Sequence, residues 1–179
     1  MAGTSTALYL LRMDSSMNYC PQCGQELSLD EIDGGERLKC SSKSCDYIHW
    51  DNPTPVVAAI VEIDDCVVLT RNKGWPEKWF GIVAGFLEKG ETPDEGALRE
   101  VKEELGLDGK IMSFVGYYSF FERNQLILAY HVQAEGEIQL GHELEEVKLV
   151  PIADVRPWPV GTGPALRDWL KARKMSSNE

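Results

Sequence analysis

The chain has 179 residues, 43% of them apolar, enough for one packed domain with a small appendage. Its formal net charge of −11 argues against binding nucleic acid or anionic membranes through bulk charge. No run approaches the ~20 apolar residues of a membrane-spanning helix, so a soluble, cytoplasmic protein is expected. Residues 1–16 lack the basic start and cleavage site of a signal peptide and read as a disordered leader or tag.

Organised sequence begins near Met17. CPQCG (20–24) sets two cysteines two residues apart beside a turn-forming glycine, and CSSKSC (40–45) adds two more. In a chain without an export signal, such pairs are expected to be metal ligands rather than disulfides. Cys20, Cys23, Cys40 and Cys45 would make a closed four-thiolate Zn²⁺ site, structural because no position is left open. The expected ribbon covers 17–50. His49 is an alternative ligand, or a packed histidine. WDNPTP carries two prolines that block a helix, and 51–55 is read as a linker.

The remainder, 56–175, reads as a mixed α/β domain. VVAAIVEI (56–63) and CVVLTR (66–71) have strand composition around an Asp64-Asp65 turn, which predicts a hairpin. Within it Cys66 reads as a small buried hydrophobe. NKGWPEKW (72–79) is a loop, and FGIVAGFL (80–87) is a strand with glycines permitting close backbone approach. The clearest helix is 93–105: Thr92 can cap it, Pro93 suits its first turn, Glu95 completes a capping box, and Gly106 ends it. Two strands follow at 111–120 and 125–134, then shorter ones at 137–140 and 148–152. Pro164 opens a final helix.

On the central helix, Leu98, Val101 and Leu105 share one face, while Glu100, Glu103 and Glu104 stand at i, i+3 and i+4 on another. Such glutamates make either a solvated acidic face or a cradle for hard divalent cations. Phe86 reads either as a core residue or as a ring beside that cradle. Trp75, Trp79, Tyr117, Tyr118, Phe120 and Phe121 are further candidates to line a pocket.

Gly85, Glu91, Arg99, Glu100, Val101, Glu103, Glu104, Gly106 and Leu107 fill every fixed place of a known pattern. It runs Gly, five residues, Glu, seven residues, Arg-Glu, an aliphatic, any residue, Glu-Glu, any residue, Gly, an aliphatic. The stretch thus resembles the signature of the Nudix hydrolases, and the cysteine pairs ahead of it resemble their zinc-ribbon members. The resemblance implies an α/β/α sandwich with a mixed sheet, behind a small zinc ribbon. It also implies Mg²⁺- or Mn²⁺-dependent hydrolysis of a nucleoside diphosphate derivative: ADP-ribose, FAD, NADH or a nucleotide sugar. Glu100, Glu103, Glu104 and the Ala84 carbonyl would hold the catalytic cations. Arg99 and Glu91 would orient them, with Glu103 and Glu104 taking part in the chemistry. A later loop would add a ligand or base, with Glu146 as first choice and Glu143 second. Phe86 and Trp79 would contact substrate, Phe86 by stacking on a purine. Partners would be a small nucleotide, with neither nucleic acid nor membrane, in a protein that could be a homodimer. GYYSFFERNQ (116–125) replaces the Ser-Gln-Pro-Trp-Pro-Phe-Pro element of NADH pyrophosphatases, which weakens strict NADH preference. Binding-only relatives, the alternative reading, commonly have eroded signatures; this one is intact.

Overall fold

A computed structural model describes residues 17–176; the expected leader at 1–16 lies outside them. The chain divides into two compact units, one ending at Asn52 and the other beginning at Pro53.

In the first unit, β1 (Leu27–Ile32) and β2 (Gly35–Cys40) form an antiparallel hairpin, and β3 (Ile48–His49) pairs with β2. Asp33 and Gly34 both have positive φ, 51° and 77°, as a tight two-residue hairpin turn requires. Cys20 and Cys40 are its only buried residues among those described. So small an apolar interior does not offset the entropy of ordering the segment, and a cross-link must.

The second unit is built on one sheet. β4 (Thr54–Ile63) turns through Asp64 and Asp65, both at positive φ, into β5 (Cys66–Asn72). The hairpin is confirmed, but only Glu62 and Ile63 pair across it, with Val67 and Cys66. β5 then leaves and pairs along its length with β9 (Leu144–Pro151). The side of β4 that it vacates is taken by β6 (Val83–Phe86), from Val56↔Phe86 to Ala59↔Val83. On the other side β4 pairs in parallel with β8 (Gln125–Glu135), and β7 (Asp108–Phe120) forms the edge beyond it.

β4 is buried from Val56 to Ile63 because both faces are covered. Val56, Ala58 and Ile60 pack with Ala165, Leu166 and Trp169 of α2 (Gly163–Ser176). Ala59, Val61 and Ile63 pack with Val101 and Leu105 of α1 (Pro93–Leu105). This is the α/β/α sandwich with a mixed sheet. Val101 and Leu105 are wholly buried, each contributing roughly 1.5–3 kcal/mol. No helix among the described residues is long and apolar enough to cross a membrane.

α1 begins and ends as its sequence predicts. The Thr92 N–H donates to Glu95 Oε2 at 2.8 Å, and Gly106 at φ 71° donates to the Lys102 carbonyl at 2.9 Å. The expected strand at 137–140 is absent. That segment instead crosses the helix end, where the Gln139 and Gly141 N–H groups each donate at 2.8 Å to the Leu105 and Glu104 carbonyls. Those carbonyls have no partner inside the helix, so satisfying them outweighs a short strand pairing.

Candidate active site

The site forms where β6 meets α1. Glu100 folds back onto Gly85 so closely that an added Cβ would lie 2.0 Å from Glu100 Oε1. Only glycine fits there. Arg99 is the hub of the surrounding carboxylates. It donates to both Glu91 oxygens (Nε to Oε2 at 2.9 Å, an Nη to Oε1 at 2.8 Å), to Glu100 Oε1 at 2.7 Å and to Glu103 Oε2 at 3.1 Å. A further bond at 3.0 Å reaches the Phe86 carbonyl and ties the helix to β6. This bidentate bond to Arg99 draws the Glu91 carboxyl down to about 2, helped by the Glu88 N–H.

Glu104 stands apart. It is 7% exposed, and its Oε2 is buried without a hydrogen-bond partner. Burial above all, then the charges of Glu100, Glu143 and Glu103, push its carboxyl up to about 8, against a backbone hydrogen bond from Ala84. Burial also raises Glu100, against the pull of Arg99. In an extended strand a residue's N–H and C=O leave on the same side, so the Ala84 carbonyl lies on the edge that faces Glu104. An orphaned carboxylate oxygen among other carboxylates and a carbonyl is the donor set of a hard divalent cation. The residues therefore fit Mg²⁺ or Mn²⁺.

The three signature glutamates are not equivalent. Glu103, with a side chain 61% exposed, leans out toward Arg99 while Glu100 and Glu104 turn inward. Among the described residues, only the four cysteines bring three or more ligand atoms within 4.8 Å of one another. The two candidates for the later-loop carboxylate stand in different surroundings. Glu146 lies on β9 opposite Arg71, which holds it at 3.0 and 3.2 Å, with Lys148 at 3.4 Å. Those bonds hold its carboxyl low. Glu143, the second choice, is the later-loop carboxylate whose charge bears on both Glu100 and Glu104. Its loop is pinned on the helix end by Gly141, whose added Cβ would meet the Glu103 carbonyl at 2.3 Å.

Beside Glu104 lies a cavity of about 700 Å³, with Phe86, Trp75, Trp79, Phe80, Phe120 and Trp158 on its walls. Its apolar floor, Val56, Leu69, Ile82 and Ile127, belongs to the core under α2. Glu104, from α1, lines the cavity too. Phe86 and Trp79 are 60% and 58% exposed, so the core alternative for Phe86 falls. Tyr117, Tyr118 and Phe121 do not line the cavity; Tyr118 packs in the core and meets Asp168 at 3.4 Å, and the other two face outward. Trp158, Arg123 and Arg156 do line it without having been foreseen. The one sequence signal for Trp158 was its place between two prolines in a loop.

In the first unit the cysteine sulfurs converge, with Cys20–Cys45 at 3.7 Å and Cys23–Cys40 at 3.4 Å. Both exceed a disulfide bond by more than an ångström. Against burial, backbone donors from Gln22 and Cys23 bring Cys20 down to about 7. The Ser42 donor is outweighed by burial and neighbouring sulfurs at Cys40, pushed up to about 12. Four cysteine sulfurs within 4.8 Å of one another fit structural Zn²⁺. His49 is not in the cluster; it lies 3.8 Å from Asp51.

A model of the NUDIX domain matches residues 52–171. The NAD-capped RNA hydrolase NudC of Pseudomonas putida is 28% identical over 161 residues, covering 88% of this chain and 57% of that protein. Its namesake from Vibrio atlanticus is 28% identical over 126 residues, covering 70% and 45%. The chain thus spans about half the length of the curated relatives it matches. A crystal structure of a NUDIX hydrolase from Nitrosomonas europaea superposes with a TM-score of 0.74 at 27% identity, covering 89% of this chain and 93% of that one. An ADP-ribose pyrophosphatase from Streptococcus suis shares the fold, with a TM-score of 0.58 at 19% identity over 69% and 93% of the two chains. The first two names include an RNA substrate, at odds with the exclusion of nucleic acid drawn from net charge.

Proposed function

This chain belongs to the Nudix hydrolase family, and from that premise we propose that it cleaves the diphosphate of an ADP-ribose-type compound or dinucleotide, releasing two phosphate-bearing products. One observation carries the reading: a buried, unpartnered Glu104 oxygen at the mouth of an aromatic cavity. A residue kept for stability would not leave that atom unsatisfied, since the omission costs about 1–3 kcal/mol.

Glu100, Glu104 and the Ala84 carbonyl would hold Mg²⁺ or Mn²⁺, with Glu103 and Glu143 nearby. Bound divalent cations supply charge to the bridging phosphates and lower the pKa of water. Arg99 fixes the rotamers of Glu100 and Glu103 and carries no proton to or from substrate. Glu143 is the favoured base for the attacking water, because Arg71 engages Glu146. Phe86 and Trp79 offer ring faces to a base or nicotinamide, worth on the order of 1 kcal/mol each. The cavity suits a nucleoside rather than a nucleic-acid duplex, so a capped RNA would enter by its diphosphate end. In the first unit, Cys20, Cys23, Cys40 and Cys45 would bind Zn²⁺ with no part in chemistry.

The test is a panel of ADP-ribose, NADH, FAD, nucleotide sugars and an NAD-capped oligonucleotide, incubated with Mg²⁺ or Mn²⁺ and read by AMP or UMP release. Turnover of at least one compound, abolished by a chelator and restored by Mn²⁺, is expected. Tight binding of a nucleotide with no turnover across the panel would instead favour the sensing alternative.

A further inference from the structure

The chain has 29 acidic and 18 basic residues, yet its aromatic cavity inverts that balance. Among the lining residues, Lys78, Arg123 and Arg156 are cationic and Glu104 alone is acidic. None of the three cations has a carboxylate partner among the described residues. Arg156 donates only to backbone, at 2.9 Å to the Ala153 carbonyl and 3.0 Å to the Val155 carbonyl. In so acidic a protein, a guanidinium would ordinarily find a carboxylate; two left without one on a cavity wall are available to an anion.

Their place in the fold says which anion. Ala84, beside Glu104, is paired with Ala58, whereas Gln125 is paired with Thr54 of the same strand. Four residues of β4 separate the rungs, about 13 Å along the strand, and β6 and β8 lie on either side of β4, about 10 Å apart. Arg123 stands two residues before Gln125, in the short 3-10 turn Phe121–Arg123 at that end of the strand. The segment after Arg156 comes to the same end, where an added Cβ on Gly161 would lie 3.4 Å from the Phe120 ring. Even an extended arginine leaves roughly a nucleoside's length between its guanidinium and the Glu104 carboxylate. Arg123 is therefore set back from the scissile diphosphate, and Arg156 lines the same cavity from the segment that leads to Gly161.

We propose that Arg123 and Arg156 read a second phosphate, carried on the sugar of the nucleoside that fills the aromatic cavity, and so set substrate preference. The proposal rests on the hydrolase reading. The shared chemistry is a ribose phosphate on the nucleoside diphosphate. Its source is either a small molecule with a phosphomonoester or an RNA chain joined through a 3′-phosphodiester. Arg123 and Arg156 are specificity residues here, and the bond to be broken is elsewhere. Two guanidiniums suit phosphate oxygens, each able to give paired N–H donors. Rejection of a substrate lacking the group follows from leaving those donors unpaired.

The test compares kcat/KM within pairs that differ by that phosphate: NADH with NADPH, dephospho-coenzyme A with coenzyme A, and NAD with an NAD-capped oligonucleotide. Wild type is expected to favour the phosphorylated member of at least one pair by about fivefold or more, mainly through KM. Which pair responds identifies the source, the first two pointing to a phosphomonoester and the third to RNA. Arg123→Ala with Arg156→Ala is expected to bring that ratio close to one, and the preference should shrink with added salt. A ratio below fivefold in every pair, or a preference that survives both substitutions, overturns the proposal while leaving the hydrolase intact. Calorimetry with AMP against adenosine 3′,5′-bisphosphate and 2′,5′-bisphosphate reads the same preference without turnover. Failure of hydrolysis itself is thereby separated from failure of recognition.

Discussion

Replacing Glu104 with glutamine should make the metal-free protein more stable at alkaline pH while disabling it. The Glu104 carboxyl is pushed from its ordinary 4.5 to about 8, chiefly by burial. For an acid whose folded pKa is raised, the stabilising state is the protonated one. Its contribution is complete below about 4.5 and is lost as pH rises toward about 8. A shift of about 3.5 (8 − 4.5) corresponds at pH 8 to an unfavourable term on the order of 4 kcal/mol. Glutamine carries no charge, but its amide NH2 brings an extra buried donor where the unpartnered Oε2 now stands, at about 1–2 kcal/mol. The net gain is about 2–3 kcal/mol, a rise in Tm on the order of 8 °C in metal-free buffer near pH 8. Near pH 5 it should vanish or reverse, because Glu104 is then neutral too. Saturating Mg²⁺ should narrow the gap by stabilising only the wild type. Over the same comparison, kcat/KM should fall at least about a hundredfold. Scanning calorimetry with chelator at the two pH values, paired with steady-state kinetics, checks both halves. Equal Tm values near pH 8 would show that Glu104 carries no buried charge, and the metal argument built on it would fail.

Gly85→Ala should act through Glu100. The new Cβ would sit 2.0 Å from Oε1 and 2.1 Å from the carboxyl carbon, so the side chain must leave its position against Arg99. A loss of at least about tenfold in kcat/KM is expected, with weaker Mn²⁺ binding by calorimetry and a stability cost of about 1–3 kcal/mol; near-normal Mn²⁺ affinity would contradict it. Metal analysis of the purified protein should find about one zinc per chain. Its removal, or Cys20→Ser, should collapse the dispersed amide resonances of residues 17–52, whose buried residues are two cysteines, while those of 53–176 persist. A metal-free first unit with intact dispersion would show that its hairpin folds unaided.

The parts of the fold legible in the sequence were those fixed by local chemistry. Thr92, Pro93, Glu95 and Gly106 bound α1 because capping is decided within a few residues. Asp64-Asp65 marked a hairpin because both residues tolerate positive φ. What stayed hidden was settled over long separations. That β5 would leave β4 after two pairs depends on β9, some eighty residues later. The stretch 137–140 has strand composition, yet two free helix carbonyls claimed its backbone. The site divides in the same way. Helical spacing grouped Glu100, Glu103 and Glu104, but it could not say that Arg99 draws Glu103 outward while Glu104 is buried alone. Glu146 was preferred over Glu143 on sequence, and only the β5–β9 register reveals that Arg71 stands opposite Glu146.

The relatives named as NAD-capped RNA hydrolases are at odds with an exclusion drawn from net charge, and the difference is one of scale. Net charge sums over the surface, and at −11 it does oppose any binding that depends on many scattered phosphate contacts. A pocket that takes one end of a ligand answers to a few groups within about a Debye length, near 8 Å in physiological salt. The cavity wall presents Lys78, Arg123 and Arg156 without a carboxylate partner among the described residues, and a divalent ion held at Glu104 would add its charge at the other end. The two scales also make a distinction in behaviour. An RNA held only by its capped end should bind with a shallow salt dependence, reflecting one or two phosphates rather than a tract. Its affinity should be nearly indifferent to the length of the chain that trails away from an acidic surface.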